Sequence, residues 1–84
     1  MGYYRKWSSF IAFGLRFVIF VDDHEPAHVH VYGDGEAKIA IAGPDGLPVM
    51  LSAIGMKATV KRRAMDEVLA HQERLLSEWR RIHR

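Results

Sequence analysis

No cysteine occurs among the 84 residues. That absence excludes a disulfide-stapled scaffold and any thiolate-held zinc finger, and it accords with a reducing compartment without requiring one. A long uncharged apolar run is missing too. The stretch from Phe10 to Val21 follows Arg5 and Lys6 and loosely imitates a secretory signal, but Arg16 interrupts it, Asp22 and Asp23 end it, and no small-residue cleavage site follows. A membrane-spanning helix needs about 20 apolar residues. The chain is therefore read as cytoplasmic, with no membrane partner. Repeats, linkers and low-complexity tracts are absent. No Ser/His/Asp triad or nucleophile elbow is legible. The Gly33-Asp34-Gly35 loop is too short, and in the wrong context, to cradle a phosphate.

At 84 residues the chain is read as one domain, 1–84. A domain of this size buries only roughly 60–65% of the surface it would expose unfolded. So thin a core leaves a homodimer or a partner protein as a source of extra burial. The net charge of +2 is unevenly spread: residues 1–46 carry four Lys/Arg against six Asp/Glu, and residues 47–84 carry eight against four. The basic half suits RNA, DNA or an acidic partner, or is simply a solvated helix face.

What the chain does have is the octet Asp23-His24-Glu25-Pro26-Ala27-His28-Val29-His30, which holds three of its five histidines. In an extended strand, residues i and i+2 share a face. His28 and His30 should therefore stand side by side, roughly 7 Å apart from the strand rise. His24 precedes Pro26 in a turn.

Around this octet the pattern predicts strands at about 15–21, 28–32 and 36–42, with an optional fourth at 47–52. Gly33-Asp34-Gly35 and Gly43-Pro44-Asp45-Gly46 supply the turns. From about residue 58 to 83 the period becomes helical. Val60, Ala64, Val68, Leu75, Trp79 and Ile82 form one stripe, flanked by Met65, Leu69 and Leu76. A continuous helix there would be roughly 38 Å long, more than a short meander needs, so a break or an overhanging end is expected. The fold class is α+β: an antiparallel three- to four-stranded β-meander with a long C-terminal helix packed on one face. The helix should cover Leu15/Phe17/Ile19/Val21, Val29/Val31 and Ala37/Ile39/Ile41. The opposite face then collects Arg16, Val18, Phe20, His28, His30, Tyr32, Lys38 and Ala40, a mixed apolar and cationic surface suited to contact.

Three uses of the histidines are open. His28 and His30 can supply two nitrogens to a divalent metal, with His24, Asp22, Asp23 or Glu25 as a third ligand; such a metal is an option, not a requirement. Alternatively His24, His28 and His30 can act as catalytic acid and base in RNA cleavage, with Arg16 and Lys38 holding phosphate and Tyr32 stacking on a base. Finally, His24 can cap the turn through a backbone hydrogen bond, and His28 and His30 can be ordinary strand residues packed beside Tyr32 and Phe20 at a protein interface. Lys57 and Lys61, at the start of the helix, either contact phosphate or an acidic partner or extend their stems past the sheet edge. Trp79 reads as a core anchor. Gln72 and His71 lie in or beside the apolar stripe, where backbone groups commonly satisfy such side chains.

The octet and the later run His71-Gln72-Glu73-Arg74-Leu75-Leu76-Ser77-Glu78-Trp79 together resemble an uncharacterised family of short bacterial proteins. That family shows an Asp/Glu-His-x-Pro-x-His-x-His block, then a hairpin, then a helix with a His-x-x-x-Leu-x-x-x-Trp pattern. The similarity covers about residues 10–82. Many members read Pro-Pro or Asn-Pro-Pro before the second histidine, where this chain has Glu25-Pro26-Ala27. The resemblance implies one half of a two-gene, toxin–antitoxin-like module, with a cognate small protein encoded nearby as partner. It singles out His24, His28, His30, His71 and Trp79 without assigning chemistry to them. The expectation is a toxin-like component acting on RNA or a nucleic-acid-linked process through the histidine face. The alternative is a non-enzymatic protein- or DNA-binding module, antitoxin-like or regulatory.

Overall fold

The computed structural model describes residues 7–83, Trp7 by its backbone alone. Arg5 and Lys6, which prompted the signal-like reading, lie outside the described residues. The order is β1 (Trp7–Ala12), β2 (Leu15–Phe20), β3 (His28–Gly33), β4 (Gly35–Ala40), β5 (Val49–Ile54), α1 (Ala58–Ala70) and α2 (Gln72–His83). The strands form one antiparallel sheet in sequence order. The α+β class and the meander are as expected, but the sheet has five strands rather than three or four.

The additional strand is β1. It pairs with β2 from Trp7↔Phe20 to Ala12↔Leu15 across a two-residue turn. Both turn residues take positive φ, Phe13 at 54° and Gly14 at 73°. Such a pair matches the twist of a tight hairpin, but phenylalanine is not a residue type that announces it. The apolar stretch from Phe10 to Val21 is thus most of a hairpin. Among the described residues no helix is long and apolar enough to cross a membrane.

Alternation along the strands sends Leu15, Phe17, Ile19, Val29, Val31, Ala37 and Ile39 into one core, joined by Ile41 just past β4 and by Ala64, Val68, Leu75, Trp79 and Ile82 of the helices. Fully burying an aliphatic or aromatic side chain stabilises by about 1.5–3 kcal/mol, so this face carries the fold. Val60, Met65 and Leu76 pack against its margin, whereas Leu69 is 48% exposed. In β5 the register slips by one between Lys38↔Ser52 and Ile39↔Met50, leaving Leu51 as the extra residue of a bulge. The slip keeps both Met50 and Ala53 against the core.

The expected single helix from 58 to 83 is two. It breaks at His71, whose φ and ψ of −110° and 18° leave the helical region. The cause lies in the next residue. The Gln72 amide donates at 2.8 Å to Ile41 O and at 2.8 Å to Gly46 O, fastening the break over the β4–β5 connection. Helix α1 packs on β4 and β5, and α2 turns to pack on β2. That change of direction brings Trp79 to the turn before β3.

Candidate functional site

The site is built on the turn between β2 and β3. The Asp23 N–H donates to Phe20 O at 3.2 Å, and the Phe20 N–H donates to Asp23 Oδ2 at 3.1 Å. One carboxylate oxygen is thereby held by backbone. The other, Oδ1, faces two imidazoles: His30 Nε2 at 3.1 Å and His28 Nε2 at 3.6 Å. His28 is held from its far side, its Nδ1–H donating to Pro26 O at 2.8 Å. The two imidazole centroids are 5.1 Å apart, closer than strand rise alone implies. Ligand atoms of Asp23, His28 and His30 all lie within 4.8 Å of one another. His28 is buried, Asp23 and His30 are half-buried.

A cleft of about 260 Å³ opens beside this group, lined by Asp22, Asp23, His24, Glu25, Pro26, His28, Lys38 and Leu51. Three carboxylates against one ammonium make its wall acidic. From His30 a row of flat groups extends along the sheet. The Phe20 ring meets His30 edge-on at 5.2 Å, Tyr32 lies parallel to His30 at 6.4 Å, and the Arg16 guanidinium sits 6.0 Å from the Tyr32 centroid. The register Arg16↔Tyr32 and Val18↔His30 places these groups in adjacent rows.

Helix α2 closes the site from the side. The Trp79 indole N–H donates to Glu25 Oε2 at 3.3 Å, and its ring lies 5.4 Å from that of His28. The Asp-His-x-Pro-x-His-x-His block and the helical His-x-x-x-Leu-x-x-x-Trp pattern therefore meet in space. A model of a family described only as a domain of unknown function, DUF4160, matches residues 14–80. The chain belongs to the DUF4160 family. No curated protein and no solved structure matches it. In this DUF4160 chain both recognised blocks fall inside the matched span.

The expected face is largely assembled. Arg16, Phe20, His28, His30, Tyr32 and Lys38 share it, His30 standing opposite Lys38. It is less open than alternation alone implies: Val18 and Ala40 are 1% and 4% exposed, small residues set among larger neighbours. His24 is exposed and lines the cleft, outside the three-residue group. Lys57 and Lys61 are not brought to it. They start α1, just after β5 leaves the sheet opposite Glu36, at the far end of β3 from His28. Gln72 is satisfied by backbone carbonyls. His71 lies 3.4 Å from Glu67 through Nε2 and packs its ring on Phe10, away from the cleft.

Asp23 is the residue that pattern reading left undecided among four acidic or imidazole neighbours. The turn geometry selects it. The Glu25–Trp79 hydrogen bond is a second addition that no local spacing announces.

Proposed function

We propose that this DUF4160 protein is the toxin-like component of a two-gene module and acts on RNA at the Asp23/His28/His30 group. The observation that carries the reading is the row Arg16–Tyr32–His30, which ends on that group. A guanidinium for phosphate, an aromatic face for a base and paired imidazoles beside a carboxylate are what RNA-directed phosphate chemistry requires. Each occurs here on β2, on β3 or in the turn between them. The cognate partner, a small protein encoded nearby, would mask this row.

Induced expression in a bacterium tests the reading. Wild-type chain should arrest growth and deplete RNA, while a His28→Ala/His30→Ala variant at matched soluble level should do neither. Growth unaffected by the wild type would remove the toxin assignment.

A second reading, a non-enzymatic binding module, is favoured by the sheet edge. Strand β5 leaves Val49, Leu51 and Ile54 at 38%, 44% and 67% exposure, and no charged residue falls between Leu47 and Met56. Proteins usually protect an edge with charge. On this reading Leu51→Lys or Ile54→Lys abolishes partner association, while histidine substitutions leave it intact.

A further inference from the structure

We infer that Asp23, His28 and His30 bind a divalent first-row metal ion of the zinc type. This deepens the proposed function by naming what arms the site, and it rests on that reading only in using the same three side chains.

The Nδ1–H of His28 is committed to Pro26 O. In the neutral ring Nε2 then carries a lone pair, and it points at the Asp23 carboxylate 3.6 Å away. A ring nitrogen and a carboxylate oxygen thus face each other across that gap, on a residue only 6% exposed. A cation between them can take one donor from each side. A backbone carbonyl fixing the far nitrogen of a histidine is also how metal-ligating imidazoles are commonly oriented. Asp23 is presented likewise, with Oδ2 held by the Phe20 amide and Oδ1 directed into the group.

The spacing agrees. An ion about 2.0–2.1 Å from each donor in a tetrahedral site needs donors about 3.3 Å apart. The Asp23 oxygen lies 3.1 and 3.6 Å from the two ring nitrogens, and all three donors lie within 4.8 Å of one another. His30 Nε2–H now donates to Asp23; on binding, that proton moves to Nδ1 of the same ring and Nε2 takes the metal. Two nitrogens and one oxygen suit zinc-like ions rather than magnesium or calcium, which prefer oxygen. Asp22 and Glu25 in the cleft wall add negative field. Three protein ligands leave a coordination position for water or a phosphate oxygen, as in catalytic zinc sites.

The test is equilibrium dialysis of metal-stripped protein against Zn²⁺, without RNA. One ion per chain is expected, with affinity falling at least about 100-fold in Asp23→Asn and in His30→Gln, and unchanged in His71→Gln. Nitrogen NMR of the wild-type histidine rings gives a readout independent of any variant's folding. Zn²⁺ should shift Nε2 of His28 and His30 and leave His71 and His83 alone. No uptake, or uptake that Asp23→Asn leaves intact, overturns the metal site and returns the group to acid–base chemistry. Bound zinc in a chain that arrests nothing overturns the toxin reading instead.

Discussion

The indole N–H of Trp79 donates to the carboxylate of Glu25 at 3.3 Å, so α2 is fastened to the turn that carries the histidines. Trp79→Phe keeps an aromatic ring in the core but loses the donor. It should cost about 0.5–1.5 kcal/mol in urea unfolding. Trp79→Ala, which also empties the core position, should cost about 3–5 kcal/mol. Equal costs for the two would mean that the hydrogen bond, not the ring, carries the contact.

The break between the helices has its own fastening. Gln72→Ala removes two hydrogen bonds to the β4–β5 connection and should destabilise by about 1–3 kcal/mol at roughly 1 kcal/mol each. Gln72→Glu should be worse at neutral pH, because its carboxylate faces two carbonyl oxygens, and should recover partly on acidification. Chemical denaturation at two pH values separates the variants.

Tyr32 and Arg16 give a readout on the proposed RNA interface. Stacking of a base on an aromatic side chain is worth about 1–3 kcal/mol. Tyr32→Ala should therefore weaken binding of a single-stranded RNA oligonucleotide by roughly 5- to 150-fold, and Tyr32→Phe should not. Arg16→Ala should reduce the salt slope by about 0.7 if the guanidinium contacts one phosphate. Fluorescence anisotropy at several salt concentrations measures both, and an unchanged Tyr32→Ala affinity removes that ring from the interface.

Acid should weaken one contact on α2. The Arg81 guanidinium hydrogen-bonds Glu78 and holds its carboxyl below the usual carboxylate range, aided by Ser8 and Arg74, although partial desolvation works the other way. A carboxyl lowered in the folded state stabilises above its unfolded value, and that contribution disappears as pH falls through the folded value. Glu78→Gln should thus lower the thermal midpoint at neutral pH and converge with wild type on acidification below the ordinary Glu range. A gap that persisted or widened in acid would show that Glu78 acts through packing.

The legible and illegible parts divide by the range of the forces involved. His28 and His30 share a face because the pleat has period two, and Leu15, Phe17 and Ile19 enter the core for the same reason. Helical periodicity picks out Ala64, Val68, Leu75 and Trp79 equally well. Strand β1 escaped because its turn uses Phe13 at positive φ, a conformation set by the hairpin rather than by residue preference. The break at His71 comes from Gln72 reaching carbonyls 31 and 26 positions away. Asp23 faces His28 and His30 through a turn whose shape no periodicity encodes.

The meander makes all sheet pairing between strands adjacent in the chain, and such local contacts form quickly. The support for the histidine turn is different, since Glu25 waits for a residue 54 positions downstream. During synthesis the sheet and its imidazoles emerge well before the tryptophan that steadies them. A chain cut short before α2 would carry both imidazoles without the contact from Trp79. If the protein harms its host, its histidine turn is steadied only once α2 has been made.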